Sequence, residues 1–357
     1  MTAEHPFVTV NILAYNRREA LRTSLREILD LDYPAQRLEV IVVDNASSDG
    51  TAEMLQRDFP SVRVVRMDDN VGVSGWNRGF ALGRGDYFLV LDDDCYISGG
   101  DLSRAITAAQ EDRADLVSFR VKSSEVDDYY FDEDEYRAGM LGFWGCSALI
   151  SRDAVEALGG FDPRIFLWPH ELEFTMRLLD RGFRHTFLPE VTSVHMKAPL
   201  EFSLDRYRTH FRNFAYTATK LMQWRDLVPA LGHMCLDVLL GAARHGIGVL
   251  GALVDVLSGV RAGLAVRRPV RPIVSRAYRD NYLVFVNPVQ FLRRPTERFK
   301  IGGGQPDSPR HFETWFGRRE RFFPRERATI EFGHAGAGRR GDRTPAGVGP
   351  SRSASEA

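Results

Sequence analysis

The sequence predicts an α/β fold, in which a doubly wound, mostly parallel sheet carries helices on both faces and is followed by a helical appendage. Between residues 7 and 91, short apolar β-branched segments alternate with segments of helical periodicity. This alternation is typical of consecutive βαβ units. Residues 204–265 are instead helical in period and poor in strand signals, so the second half of the chain is expected to be built from helices alone.

The elements follow one another in a regular order. The first strand is predicted at residues 7–14 (FVTVNILA), and a helix follows because Leu21, Leu25 and Ile28 recur at helical spacing. Ligands of such sheets bind beyond the carboxyl ends of the strands, so the polar residues that follow each strand are the candidates for a site. The remaining strands are predicted at residues 38–43, 62–66, 87–91 and 115–120, and the remaining helices at 51–59, 74–82, 102–111, 153–158 and 171–181.

Composition divides the chain into three parts. Residues 1–203 form the α/β part, with one half at about 1–98 and the other at about 99–203. Residues 204–290 form the helical region, and residues 291–357 form a basic tail, rich in Arg, Gly, Pro and Ser, that is expected to be partly disordered. The acidic segment 123–135 has no clear period and is expected to be a loop or lid.

Charge and cysteine content exclude several classes of protein. The 357 residues contain 47 Lys and Arg against 48 Asp and Glu, which gives no sign of the positive field that nucleic-acid binding needs. Three widely spaced cysteines supply neither a disulfide framework nor a zinc site. The first residues show no charged segment followed by an apolar one, so we expect a cytoplasmic protein.

Two acidic clusters follow predicted strands. Asp92, Asp93 and Asp94 come directly after the buried segment YFLVL, and their carboxylates suit Mg²⁺ or Mn²⁺. A solvated acidic turn is the alternative interpretation. Asp44 begins the segment DNASSDG after the second strand, although these residues are also common turn formers.

Four motifs occur in one order at spacings that suit βαβ units. They are AYNR at 14–17, VDNAS at 43–47, NVG at 70–72 with NRG at 77–79, and LDDD at 91–94. Together they resemble the family-2 glycosyltransferases, whose GT-A fold joins a nucleotide-binding α/β half to an acceptor-binding half. The resemblance covers roughly residues 7 to 200.

The resemblance implies roles on the donor side. Asp44 would be the partner of a uracil or thymine ring, and Asp92 and Asp94 would form the DxD-type pair, with Asp94 the more direct metal ligand. Arg78 also suits a plain helix surface. The implied donor-binding residues are Tyr15, Asn16, Asp44, Asn77, Arg78 and Asp93, and the implied ligands of Mg²⁺ or Mn²⁺ are Asp92, Asp94 and His195.

The second half continues the resemblance. The segment GFWGCSALI at 142–150 is similar to the family's glycine-rich wall under the transferred sugar, which implies that Trp144 and Gly145 lie on the acceptor side. In WPHELEFTMR at 168–177, the register set by Arg177 and Gly182 puts Glu171 at the position of the catalytic Asp, with Glu173 also on the acceptor side.

This segment departs from the family pattern. His170 stands where relatives have an acid, and Glu replaces Asp at positions 171 and 173. Pro169 followed by acidic residues is also favourable chemistry for the start of a helix. A non-catalytic nucleotide-sugar-binding protein is therefore an alternative hypothesis, and a sugar-phosphate nucleotidyltransferase would use the same sheet and metal.

The favoured hypothesis is an inverting transferase. It would move a hexose or deoxyhexose from a UDP- or dTDP-sugar to a hydroxyl of a lipid-linked glycan, polysaccharide or natural product. Glu171 would deprotonate that hydroxyl, because an inverting transfer needs a base within hydrogen-bond reach of the acceptor.

The helical region has an unusual charge pattern. Asp226, Asp237, Arg244 and Asp255 fall on one stripe of a helix and leave the other positions apolar. No stretch reaches about 18 uncharged apolar residues, so a membrane span is not predicted. The surface suits a peripheral contact with the inner face of the membrane or a homodimer, and Arg clusters at 267–271 and 293–298 favour the membrane.

Overall fold

The structure is a computed structural model that describes residues 5–124, 141–196, 204–245, 248–285 and 328–333. Most of the predicted lid and most of the basic tail, including the Arg cluster at 293–298, lie outside the described residues.

The first half is the parallel part of the sheet. Its strands are ordered β3-β2-β1-β4 and all pair in parallel. Ala14 is paired with Asp44, and Leu13 with Asp92, so the ends of three strands meet at one edge. The elements are β1 (Val8–Ala14), α1 (Arg18–Leu29), β2 (Leu38–Asp44), α2 (Thr51–Asp58), β3 (Arg63–Arg66), α3 (Trp76–Leu82) and β4 (Tyr87–Asp92).

The second half makes the sheet mixed. Strand β7 lies between β4 and β6 and runs antiparallel to both, whereas β6 and β8 are parallel. The predicted α/β class is confirmed, and β7 is the point at which the sheet ceases to be parallel. The elements are β5 (Cys95–Tyr96), α4 (Asp101–Asp112), β6 (Leu116–Ser123), β7 (Ser147–Ser151), α5 (Arg152–Leu158), α6 (His170–Asp180) and β8 (His185–His195).

Apolar residues cover both faces of the sheet, as buried strands require. On one face, Leu21, Leu25 and Ile28 of α1 pack with the strands, which explains their helical spacing. On the other face, Trp76 of α3 and Phe174 of α6 share a core with residues of the helical region, including Tyr216 and Val274. The helical region therefore docks on the face of the sheet that carries α6.

The helical region is divided into four helices: α7 (Leu204–Leu221), α8 (Trp224–His245), α9 (Val249–Ala265) and α10 (Pro272–Phe285). A short strand from the tail, β9 (Ala328–Ile330), pairs antiparallel with β8 and was not predicted. Among the helices that the structure describes, none is long and apolar enough to cross a membrane.

Two residues of the predicted charged stripe are paired inside the helical region. Asp226 is buried and accepts hydrogen bonds from Ser275 and Arg279. Asp255 forms an ion pair with Arg208 at 2.6 Å. Both carboxylates therefore face neighbouring helices of the bundle. The side chains of Asp237 and Arg244 lie outside the described residues.

Candidate active site

The acidic run lies at the carboxyl end of β4, beside the end of β8. Asp92, Asp94 and His195 each offer a ligand atom, and these atoms lie within 4.8 Å of one another. Nε2 of His195 is 3.2 Å from Oδ1 of Asp94, and β5 pairs with β8 so that Cys95 is opposite His195. The three predicted metal ligands are thus brought together by strands that are about a hundred residues apart in the chain.

Asp93 is held by hydrogen bonds from the loop that follows β1. Its carboxylate accepts a hydrogen bond from the backbone N–H of Tyr15 at 2.8 Å and one from Arg17 at 3.2 Å. Burial raises the pKa of Asp93 to about 7, and the charge of Arg17 opposes that rise. Its role as a donor contact stays a prediction, and these bonds indicate that it positions the β1–α1 loop.

Arg17 is a site residue that the sequence reasoning missed. Its guanidinium group bonds to the carboxylates of both Asp93 and Asp94. Arg17 sits within the AYNR motif, directly after Asn16, so its position at the end of β1 was the available signal. It places a positive charge beside the acidic run.

The predicted nucleotide side is formed by the loops after β1 and β2. Asp44 is fully buried, and its Oδ1 accepts the backbone N–H of Ser47 at 2.9 Å. Within the described residues its Oδ2 accepts no hydrogen bond, and the nearest cation, Nε of Arg66, is 3.9 Å away. A buried carboxylate oxygen without a partner is costly, so this atom is available to a ligand.

Tyr15 and Asn16, in the loop beside Asp44, differ in their contacts. Tyr15 is 44% exposed, which leaves the residue accessible to a nucleotide base. Asn16 has a positive φ of 52°, and its side-chain oxygen accepts the backbone N–H of Ser48 at 2.7 Å. The amide of Asn16 thus ties the β1–α1 loop to the β2–α2 loop, and its direct contact with a donor stays a prediction.

The candidate base lies at the start of α6, against the glycine-rich segment. A Cβ added to Gly145 would lie 2.5 Å from Oε1 of Glu171 and 2.8 Å from the ring of His170, so a larger residue there would displace the candidate base or that ring. Burial raises the pKa of Glu171 to about 7, although the backbone N–H groups of Glu171 itself and of Gly145 bond to the carboxylate and oppose the rise.

The next residue connects this base to the acidic run. The backbone carbonyl of Cys146 accepts the N–H of Asp92 at 3.2 Å. Two consecutive residues, Gly145 and Cys146, therefore contact the candidate base and the first candidate metal ligand. Trp144, before them, is 36% exposed.

His170 lies in an aromatic box. Its ring centroid is 5.1 Å from Phe161, 5.6 Å from Trp76 and 6.4 Å from Phe143. Its Nδ1 is 3.2 Å from Oε2 of Glu171. Burial lowers the pKa of His170 to about 3, so this histidine is neutral at the pH of the cell. The ring of His170 packs beside the candidate base and carries no charge.

Glu173 was expected on the acceptor side, and the structure corrects this. Its side chain is fully buried, and both oxygens are paired with Arg177, at 2.7 and 2.6 Å. Lys220 of α7 lies 2.6 Å from Glu173 and 2.6 Å from Asp162. Because Glu173 is two residues after Glu171 on a helix, it points away from the site and into the contact with α7.

Asn77 and Arg78 differ in environment. The amide of Asn77 both donates to and accepts from the backbone of Phe161, at 2.8 Å each, so it holds the turn that precedes α6. Arg78 is exposed on α3. Their contacts with a diphosphate stay predictions.

The sequence matches a known family over the region that carries this site. Residues 9–159 match Glycosyl transferase family 2. The chain is 27% identical over 213 residues to Glycosyltransferase AglE of Haloferax volcanii. This alignment covers 56% of this chain and 70% of AglE. The chain is also 27% identical over 200 residues to the beta-monoglucosyldiacylglycerol synthase of Synechocystis, which covers 50% of this chain and 41% of the synthase.

Solved structures share the fold at lower identity. The mannosyltransferase PcManGT of Pyrobaculum calidifontis, solved with GDP-Man and Mn²⁺, superposes with a TM-score of 0.52 at 19% identity, over 81% of this chain and 84% of that one. Residues 1–349 of S. aureus TarS, solved with UDP, superpose with a TM-score of 0.55 at 18% identity, over 81% of this chain and 92% of that one. The solved structures thus show the GT-A fold, and residues 9–159, which carry the ordered motifs, match glycosyl transferase family 2.

Proposed function

We propose that this protein is an inverting glycosyltransferase that moves a sugar from a UDP- or dTDP-sugar to a hydroxyl group. One observation carries the proposal. The acidic cluster and a carboxyl group whose pKa is about 7 are connected through the adjacent residues Gly145 and Cys146. A transferase of this kind needs both an anion-stabilising centre and a base near the acceptor.

The acidic cluster fits a divalent cation. Asp92, Asp94 and His195 offer oxygen and imidazole ligands within 4.8 Å of one another, a donor set that suits Mg²⁺ or Mn²⁺. When bound, the ion would neutralise charge on the departing diphosphate. Arg17, bonded to Asp93 and Asp94, keeps the carboxylates in place and adds a positive charge on the β1 side. PcManGT was solved with Mn²⁺, which supports a metal without choosing between the two.

Glu171 acts on the acceptor. Its ionised carboxylate takes the proton of the acceptor hydroxyl while that oxygen bonds to the anomeric carbon. The bond from this carbon to the diphosphate breaks on the opposite face, so the configuration inverts. A pKa of about 7 suits this step, because a base is most effective when its pKa lies near the working pH.

Asp44 selects the nucleotide base. Its buried Oδ2, unpaired within the described residues, would accept the ring N–H of uracil or thymine, and the exposed ring of Tyr15 would pack against the base. TarS was solved with UDP and PcManGT with GDP-Man, which supports a nucleoside diphosphate sugar as the class of donor.

The acceptor is a hydroxyl on a lipid-linked glycan, a polysaccharide or a natural product. The relatives of the chain include a beta-monoglucosyldiacylglycerol synthase and the poly(ribitol-phosphate) beta-N-acetylglucosaminyltransferase TarS of Staphylococcus aureus, which supports this range. The helical region would contact either a membrane or a second copy of the chain.

The test is a donor assay with matched variants. Purified protein with Mn²⁺ is incubated with UDP- and dTDP-sugars, and release of the nucleotide is measured with Glu171→Gln and, as control, Glu156→Gln on the exposed face of α5. We expect Glu171→Gln to lower the rate by about 10²-fold or more and the control to match the wild type. Equal rates in all three proteins would show that Glu171 is not the base. Binding of donor without turnover would favour a nucleotide-sugar-binding protein, and release of pyrophosphate from a nucleoside triphosphate would favour a nucleotidyltransferase.

A further inference from the structure

Helix α9 is packed tightly on one side. Its buried residues are Ala252, Val256, Gly259 and Gly263. A Cβ on Gly259 would lie 2.1 Å from the backbone oxygen of Arg212, and one on Gly263 would lie 2.7 Å from that of Tyr216. The two glycines thus let the backbones of α9 and α7 approach each other closely, which fixes the rotation of α9 about its axis.

The opposite side of α9 is apolar and exposed. Leu250, Val254, Leu257 and Leu264 are 78%, 54%, 66% and 47% exposed. At 100° per residue, these four and Arg261 fall within an arc of about 80°. We call these five residues the outer face of α9. It contains no acidic residue, and its only charge is the exposed Arg261.

An aromatic and basic group lies at the carboxyl end of the same helix. The guanidinium of Arg267 stacks on the ring of Trp224 at 4.0 Å, and Trp224 is 57% exposed. Arg268 is exposed beside it. Exposed tryptophan next to leucine and arginine is typical of segments that lie in the interface of a bilayer.

The charge of the surroundings distinguishes between two kinds of partner. Residues 204–285 contain 12 Lys and Arg, five Asp and no Glu, a net charge of +7, although the whole chain has 47 basic against 48 acidic residues. A contact between two copies through this face would bring like charges together. An anionic surface is complementary to them.

We propose that the outer face of α9 docks the protein on an anionic phospholipid bilayer. The leucine and valine side chains enter the acyl boundary, and Arg261 and Arg268 pair with headgroup phosphates. Helix α7, against which α9 packs, donates from Asn213 to the backbone oxygens of Leu167 and Trp168, just before the base-bearing α6. The docked helix therefore connects to the candidate site through a single intervening helix.

Vesicle co-sedimentation of the full chain tests this docking without any substrate, so its outcome is separate from that of the donor assay. The vesicles are phosphatidylcholine alone or phosphatidylcholine mixed with phosphatidylglycerol. The variants are Leu250→Glu/Leu257→Glu and Arg261→Gln. The controls are Leu29→Glu and Arg26→Gln, which change an exposed leucine and an exposed arginine of α1 on the other face of the sheet.

We expect the wild type to sediment with the mixed vesicles and weakly with phosphatidylcholine. The double variant should partition at least about tenfold less. Arg261→Gln should partition about fivefold less on mixed vesicles, for the loss of one basic charge, and the controls should match the wild type. Circular dichroism checks that all variants fold. Equal partition of the double variant and the wild type would overturn the proposal. A second outcome would also overturn the proposal: the wild type does not bind vesicles and is a dimer by light scattering, whereas the double variant is a monomer. The outer face of α9 would then be a subunit interface.

Discussion

Burial, more than charge, sets the acidity of the candidate base. The ring of His170 is 3.2 Å from the carboxylate of Glu171, but burial lowers its pKa to about 3, so it brings no positive charge to stabilise the ionised base. The pKa of Glu171 consequently stays at about 7. The family resemblance implies an acid at position 170, and this chain has there the neutral ring of an aromatic cluster.

The dependence of the rate on pH should report this pKa. As the proposed base, Glu171 would act in its ionised form, so kcat/KM should rise tenfold per pH unit at low pH and level off above about pH 7. Glu171→Asp keeps the charge but retracts it by one methylene, and we expect kcat to fall by about tenfold to a hundredfold because the proton transfer is misaligned. A pH–rate profile that is flat between about pH 5 and about pH 8 would contradict the assignment.

The same pKa predicts a gain of stability when the base is removed. The pKa of Glu171 is raised from 4.5 to about 7 on folding, so its contribution to folding is fully retained at low pH and is lost as the pH rises through this window. Glu171→Gln cannot ionise and should be more stable than the wild type above about pH 7, by at most about 3 kcal/mol. Thermal melts at about pH 4 and about pH 8 check this. The expected difference appears only at the higher pH, and Glu156→Gln should show none.

At the scale of elements, α6 is held to α7 by a buried charge network. Glu173 pairs with Arg177 on its own helix and with Lys220 on α7, and Lys220 also pairs with Asp162. Tyr216 donates to the same Asp162 at 2.5 Å. Two buried carboxylates thus share one lysine, and removal of any one member leaves a buried charge without its partner.

Glu173→Ala tests the network. We expect it to lower the free energy of unfolding by about 3–5 kcal/mol, because Lys220 and Arg177 lose a buried counter-charge. The matched control is Glu156→Ala, which breaks the exposed Arg152–Glu156 pair and should cost no more than about 0.5 kcal/mol. Urea denaturation measures both. Equal losses in the two variants would mean that the network does not hold α6 against α7.

Some elements could be predicted from sequence and others could not, for a physical reason. The strands and helices up to β4 leave a local pattern, since Leu21, Leu25 and Ile28 must all reach one core. Strand β9 leaves none, because its three residues are ordered by pairing with β8, well over a hundred residues away. Glu173 was misassigned because the motif gives residue types but not which side of α6 packs on α7. Arg17 was missed because its partners, Asp93 and Asp94, come from another strand.

At the scale of the whole molecule, the loops of both halves meet at one edge of the sheet. Asn45, after β2, accepts the N–H of Val71 at 3.0 Å and donates to the carbonyl of Gly72 at 3.2 Å. Gly72 in turn lies against Phe166: a Cβ there would be 2.0 Å from the carbonyl oxygen of Phe166, and Val73 donates to that oxygen at 2.9 Å. The predicted nucleotide side is therefore in direct contact with the loop that precedes the candidate base.

Ligand binding at this edge should stabilise the whole fold. UDP with Mn²⁺ at about a hundred times its Kd should add about 2.7 kcal/mol, and chelation of the metal should remove most of this gain. Asp94→Asn should lose the stabilisation that depends on Mn²⁺. Asp44→Ala should keep the Mn²⁺-dependent stabilisation but bind UDP roughly tenfold more weakly, because a buried hydrogen-bond acceptor is lost. Melting curves with UDP, dTDP and GDP separate the two contributions. If GDP stabilises the wild type as well as UDP does and Asp44→Ala leaves that pattern unchanged, Asp44 does not select the base, and its unpaired oxygen needs a different partner.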